Sequence, residues 1–184
     1  MRIVSGRFGG RKLNVPKGRD IRPTSDKIRG AIFNMLASRD AIEGAYVLDA
    51  FCGTGALGLE AISRGVACCT FYDAAKASLS LAKENAEMLK TEDQCHFFLK
   101  NAVKIHKKPK NERGFDLIFL DPPYAKNLIE ESLGALITSD WVTDGAWIVC
   151  ESERSYAPIA LEGCVIDSEK IYGETKVLFL RYHQ

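Results

Sequence analysis

The segment VLDAFCGTGALGLEA, residues 47 to 61, runs from an apolar stretch ending on an acid, through a turn holding Gly53, Gly55 and Gly58, into a second apolar stretch at helical spacing. Strand, glycine turn and helix in that order form the unit from which open α/β sheets are built. Working outward, YVLDA (46 to 50), CCTFYD (68 to 73), CHFFL (95 to 99), FDLIFLD (115 to 121) and AWIVCE (146 to 151) read as short buried strands. Helical patterns near 56 to 64, 75 to 90 and 127 to 138 separate most of them. Such alternation predicts an α/β fold with a mostly parallel sheet and helices on both faces. In VIDSEKIYGETKVLFLRY (165 to 182) two strand-like runs meet at Gly173 with no helix between, so an antiparallel strand near the C-terminus should close the sheet edge.

A chain of 184 residues that is 46% hydrophobic buries one substantial core and is too short for two full-sized domains. It carries no apolar run of the roughly 18 to 20 residues that a membrane span requires, and its first residues, MRIVSGRFGG, hold no apolar leader. A cytoplasmic protein is expected. The six cysteines form no C-x-x-C pair and there are only three histidines, so reduced core thiols and no metal site are expected.

Net charge is +1, but residues 1 to 29 carry nine basic side chains against Asp20 and Asp26, a local excess of +7. RIVSG and RKLNV, separated by Phe8, Gly9 and Gly10, read as an N-terminal β-hairpin; a basic extension over 1–20 then precedes a main domain over 21–184. A basic arm on a mildly acidic body suits a polyanionic partner, with Arg2, Arg7, Arg11, Lys12 and Arg22 as its phosphate contacts; a solvated terminus is the bland alternative. Pro23, Thr24, Ser25 and Asp26 supply helix-start chemistry. The apolar face of the helix that follows, ending near Ser38, is Ile28, Ala31, Ile32, Met35 and Leu36, which leaves Lys27 and Arg29 off it. The charged loop HKKPKNERG, 106 to 114, reads as solvated.

A glycine turn between strand and helix signals a nucleotide-like ligand, and Asp73, closing the next strand eighteen residues after Gly55, stands where a carboxylate accepts from ribose hydroxyls. The acid Asp49, followed by Ala50, Phe51 and Cys52, widens the turn. It favours a ligand with an ammonium group over a pyrophosphate, whose charge it would repel. S-adenosylmethionine is such a ligand.

Asp121-Pro122-Pro123-Tyr124 ends another strand at the same side of the sheet. The prolines stiffen the turn and donate no N–H, so carbonyl oxygens meet no competing donor. One acid and one carbonyl can orient the two N–H groups of a planar amine, and Tyr124 offers a face on which a base can stack. The tetrapeptide reads as an amino-group holder and catalytic corner.

LDAFCGTGALGLEA followed by DLIFLDPPY resembles the class I S-adenosylmethionine-dependent methyltransferases that modify exocyclic amino groups. RIVSGRFGGRKLNVP, IRPTSDKIRGAIFNML and KIYGETKV narrow the resemblance to the RsmD-type 16S rRNA guanine-N2 methyltransferases, over essentially the whole chain. The resemblance implies a Rossmann-like fold with a seven-stranded sheet and S-adenosylmethionine as cofactor. Its implied partner is 16S rRNA, presented in the 30S subunit or an assembly intermediate, with no membrane, no metal and a monomeric enzyme. It also implies that Asp49, Ala50, Phe51, Gly53 and Gly55 line the methionine end of the cofactor, Asp73 and Ala74 the ribose, and Asn101 with Ala102 the adenine. The chain departs from the family in having Ala74-Ala75-Lys76 where a second acid is usual, and Asn101 where Asp is common. Three rival readings stand beside this one: the same chemistry on another nucleic acid, the same chemistry on a protein glutamine, and a non-catalytic RNA-binding protein.

Overall fold

The computed structural model describes residues 1–16, 25–123, 127–158 and 161–184. Arg22, Thr24 and Tyr124 therefore lie outside the described residues. Ser25 caps α1 (Asp26–Ala37), its side chain accepting from the Ile28 N–H at 3.2 Å. The chain then alternates: β1 (Tyr46–Asp49), α2 (Ala56–Ser63), β2 (Cys68–Asp73), α3 (Lys76–Leu89), β3 (Cys95–Leu99), β4 (Phe115–Leu120), α4 (Leu128–Thr138), β5 (Val142–Glu153), β6 (Cys164–Tyr172) and β7 (Thr175–Tyr182). The seven strands make one sheet in the order β3-β2-β1-β4-β5-β7-β6.

Side-chain alternation assigns the two faces of this sheet. Val47, Phe71, Leu117, Phe119, Val149 and Phe179 pack with α1, α2 and α3 on one face. Their neighbours Leu48, Tyr72, Ile118, Leu120, Ile148 and Leu178 pack with α4 on the other. The helices thus lie on both sides, three against one among the described residues.

Three details differ from the sequence reading. The antiparallel strand β7 does not form the edge: it sits between β5 and β6, and β6 is outermost. Strand β5 is twice as long as AWIVCE, because Val142 already pairs with Phe115 before a register shift lets Trp147 pair with Leu117. The N-terminal hairpin is present but short, one antiparallel bridge from Arg2 to Lys12 held by the Ile3 N–H to Arg11, Gly10 N–H to Ile3 and Leu13 N–H to Met1 carbonyl bonds at 2.9, 2.8 and 3.2 Å. The physical reason is competition: the Val4 and Ser5 N–H groups bond the Glu60 carboxylate at 2.7 and 3.0 Å, and Phe8 N–H bonds Ser63 Oγ at 3.0 Å. Those donors are therefore unavailable to a ladder.

Glu60 also explains a fourth difference. Arg29, read as lying off the apolar face of α1, is fully buried. The arm covers that side of the helix, and the guanidinium bonds the Arg2 carbonyl and Asp26 Oδ1 while its Nε stands 3.6 Å from Glu60. Glu60 in turn accepts from Arg64 Nε at 2.7 Å. The arm is held further along by Asn85 on α3, which accepts from Asn14 N–H at 2.7 Å and donates to the Asn14 and Thr54 carbonyls.

Candidate active site

Parallel strands bring their C-terminal ends to one edge, where open α/β sheets bind ligands. Register sets the relief of that edge. Asp49, last in β1, pairs with Phe71 on one side and Phe119 on the other. Asp73 and Asp121 each follow those partners by two residues, so both flanking strands overhang β1 by about 7 Å. The result is a trough with Asp49 in its floor and a carboxylate on each wall.

The floor is dry. Asp49 is buried, and its Oδ2 accepts from Gly58 N–H at 3.0 Å. No basic side chain pairs with it among the described residues. Burial raises its pKa to about 7, and the Asp73 charge adds to the rise, against the downward pull of the Gly58 and Phe51 N–H groups. A buried carboxylate held by backbone N–H groups alone, with no cation beside it, can receive positive charge.

Asp73 is half-buried and accepts from Gly53 N–H at 3.0 Å and from Ala75 N–H at 2.7 Å. A carboxylate has about four acceptor sites, so two remain for a ribose. Ala74 is exposed beside it. Asn101 is exposed and its Oδ1 accepts from Val103 N–H at 3.1 Å, while Ala102 is buried against the second face. The side-chain oxygen of Asn101 is thus engaged in shaping its own loop, which leaves its amide group to face a ligand.

The three glycines divide by role. Gly53 has φ +53° and nothing within 4 Å of where a Cβ would stand, an open cradle at the lip of the trough. A Cβ on Gly58 would meet the Phe71 ring at 2.3 Å, so that glycine serves the packing of α2 on the sheet. Gly55, with φ +78°, lies against Ala82 of α3. Ala50 is buried and Phe51 half-buried beside the turn.

Asp121 is half-buried, Pro122 buried and Pro123 exposed at the head of the opposite wall. The site thus unites Asp49, Phe51, Gly53, Asp73, Asp121 and Pro122 at one edge. The arm meets the glycine turn only at its base, where Thr54 Oγ1 donates to Met1 Sδ at 3.4 Å and Asn85 bridges the Asn14 and Thr54 carbonyls, and its tip lies apart. Arg7 bonds Gln94 and its N–H reaches the Ser63 carbonyl at 2.8 Å, at the far end of α2 from Gly55. Eight helical residues rise about 12 Å, so the arm tip stands a helix length from the glycine turn. Arg11 bonds the Met88 carbonyl at 3.3 Å, Arg2 pairs with Asp26 at 3.3 Å, and Lys12 is exposed. Glu60, Arg29 and Asn85, which seat the arm, escaped the sequence reading. The signal was present in Glu60, a charge inside the all-apolar run ALGLEAI. Among the described residues no group of three metal-ligating side chains comes together, and no helix is long and apolar enough to cross a membrane.

The family model described as conserved hypothetical protein 95 matches residues 1–181. The ribosomal RNA small subunit methyltransferase D of Haemophilus influenzae is 34% identical over 174 residues, 94% of this chain and 89% of that protein. Its namesake from Escherichia coli K12 is 34% identical over 175 residues, 95% of this chain and 86% of that one. A solved Escherichia coli structure assigned as a candidate methyltransferase, yhhF, superimposes with a TM-score of 0.88 at 33% identity, covering 100% of this chain and 98% of that one. Agreement of this extent in sequence and fold places the chain in the RsmD family of S-adenosylmethionine-dependent rRNA methyltransferases.

Proposed function

We propose that this protein transfers a methyl group from S-adenosylmethionine to the exocyclic N2 amino group of a guanine in 16S rRNA, as presented by the 30S subunit or an assembly intermediate. Kinship with proteins named small subunit rRNA methyltransferases supports the substrate class. The feature that carries the chemistry is the carboxylate trough, with Asp49 buried in its floor and Asp121 beside two prolines on its wall.

The residues fit the cofactor on two grounds. An acidic trough with an unpaired buried carboxylate suits a cationic ligand, and the open space over Gly53 lets a ligand approach the backbone. Asp49, Ala50, Phe51, Gly53 and Gly55 would hold its methionine portion, Asp73 and Ala74 its ribose, and Asn101 with Ala102 its adenine. When bound, this cofactor supplies an electrophilic methyl group on a sulfonium.

The protein's task is then to prepare the nucleophile. The guanine N2 lone pair is delocalised into the ring, and a carboxylate from Asp121 and the carbonyl of Pro122 accept its two N–H groups, fixing the nitrogen and its direction of attack. Both bonds strengthen as positive charge develops on nitrogen, so they favour the transition state over the ground state, and the proton that the methylated nitrogen must then lose passes along its hydrogen bond to the Asp121 carboxylate. The missing N–H of Pro122 and Pro123 removes donors that would compete for those acceptors. Tyr124 is assigned to stacking on the base.

Single-turnover methylation with labelled donor tests this. Asp121→Ala should lower the rate about 10²- to 10³-fold with S-adenosylhomocysteine affinity unchanged, and Asp121→Asn should fall between. A near-normal rate in Asp121→Ala removes that acid from the mechanism. Label entering DNA or protein glutamine in preference to 30S particles or 16S rRNA moves the substrate to one of the rival readings.

A further inference from the structure

Strand β3 is the edge of the sheet on the side away from β6; its residues His96 and Phe98 point to one face, and Lys100, just past its end, lies on the same side. That face carries α4 as its only helix among the described residues, and α4 packs near β5, so no helix covers the β2–β3 end, where Tyr72 is buried and Phe98 is not. Phe98 is 45% exposed there. Its ring meets Tyr72, its partner across the strands, edge-on at 5.9 Å, and Lys100 Nζ lies over both rings at 5.1 and 5.3 Å from their centroids. The surrounding sequence is one-sided in charge: residues 96 to 110 hold five lysines, two histidines and no acid. Within that segment Lys107 is paired with Asp140 at 2.8 Å and Lys108 bonds the Glu112 carbonyl at 2.8 Å. Lys100, Lys104 and Lys110 have no ion pair among the described residues. One acid reaches this surface from beyond the segment: Glu112, which adds to burial in raising the Tyr72 hydroxyl pKa.

We propose that the Phe98–Lys100 surface is a second rRNA contact, in which Phe98 stacks an unpaired base and Lys100 and Lys104 meet the neighbouring phosphates. The inference rests on the reading that rRNA is the substrate. A half-exposed ring beneath the Lys100 ammonium, with Lys104 four residues on, offers the two interactions that single-stranded RNA uses, base stacking and backbone neutralisation, while Glu112 as the one nearby acid among the described residues leaves the surface basic and disfavours a basic protein partner. The base bound there is not the target. Strand β3 is three inter-strand spacings from β4, about 14 Å, so Phe98 holds a nucleotide flanking the one at Asp121. The surface also lies on the opposite face of the sheet from the helices that carry the arm, and the two contacts are therefore independent.

The test is steady-state methylation of 30S particles and of free 16S rRNA, together with photo-crosslinking from benzoylphenylalanine placed at position 98 in the full chain. Phe98→Ala and the double variant Lys100→Ala with Lys104→Ala should each raise KM for RNA roughly tenfold, leaving kcat and S-adenosylhomocysteine affinity as in the parent. Phe98→Trp, which keeps a stacking face, should retain the parent KM, and the crosslink should fall on rRNA. An unchanged KM in both variants, or a crosslink to ribosomal protein alone, overturns the proposal. If the parent enzyme itself labels neither RNA substrate, the proposed function fails; if the parent labels rRNA and Phe98→Ala matches it, this surface alone is struck out.

Discussion

Asp49 and Glu60 are both carboxylates hidden from water, eleven residues apart on one strand–turn–helix unit, and their surroundings are opposite. Glu60 is surrounded by partners: two backbone N–H groups of the arm, the Arg64 guanidinium at 2.7 Å and the Arg29 guanidinium at 3.6 Å. Asp49 receives backbone N–H groups and no cation among the described residues. Desolvation costs several kcal/mol for either ion. At Glu60 the protein supplies the compensation itself, which makes it a fastener; at Asp49 it supplies no cation among the described residues, which is why Asp49 is proposed as the receptor for a ligand's positive charge.

The largest effect that could break this contrast is at the fastener. Glu60→Ala leaves the fully buried Arg29 with a weakened set of partners and frees the Val4 and Ser5 N–H groups, so urea unfolding should show a loss of about 3 to 5 kcal/mol. Limited proteolysis should then cut within residues 1 to 16 before the body of the domain. A loss under about 1 kcal/mol, with the arm still protected, would mean that Glu60 is no more structural than Asp49.

The receptor makes a prediction with a definite sign. A carboxyl with a folded pKa of about 7, against about 3.9 when unfolded, binds its proton more tightly in the native state. Its contribution to stability therefore declines as pH rises from about 4 through 7, the reverse of a salt-bridged acid. Ligand binding runs the other way, because the ammonium group of the methionine or homocysteine portion needs the ionised form of Asp49. Calorimetry should find S-adenosylhomocysteine about ten- to hundredfold weaker at pH 5.5 than at pH 8, with a proton released on binding at the lower pH. Asp49→Asn should abolish that pH dependence, bind weakly throughout, and melt higher than the parent at pH 8 in the absence of ligand. Affinity that is flat with pH in the parent would take Asp49 out of the ligand's reach.

The same contrast explains what was legible in the sequence. Strand ends, the glycine turn and the Ser25 cap are local patterns, with periods of 2 and 3.6 and a few turn residues, and the chain states them directly. Asp49, Asp73 and Asp121 could be placed at one edge because parallel strands share a direction. Arg29 and Glu60 could not be paired, since whether a charge on a helix is wet depends on which distant segment covers it. The hairpin forms, but it is a narrow one for the same reason: the N–H groups of Val4, Ser5 and Phe8 bond Glu60 and Ser63 and do not extend the pairing between its arms. The insertion of β7 between β5 and β6 is likewise a matter of strand order, which no local signal encodes.

The smallest test applies the contrast within the glycine turn, where two alanine substitutions should part company. Gly58→Ala drives a methyl group against Phe71 and Cys69, at 2.3 and 2.7 Å, and both side chains are fully buried with nowhere to retreat. Overpacking of this kind costs about 1 to 3 kcal/mol, and the loss should appear in the melting temperature of the protein with and without ligand alike. Gly53→Ala meets no atom within 4 Å, so its cost is confined to holding an L-residue at φ +53°, about 1 kcal/mol. The added methyl group nevertheless occupies the open space through which the proposed cofactor would approach the backbone. Gly53→Ala should therefore lose several-fold in S-adenosylhomocysteine affinity while melting close to the parent, whereas Gly58→Ala should melt well below it. If Gly53→Ala binds the ligand as the parent does, the cradle over Gly53 is a turn and nothing more, and the methionine portion of the cofactor must be sought deeper, along Asp49 and Phe51.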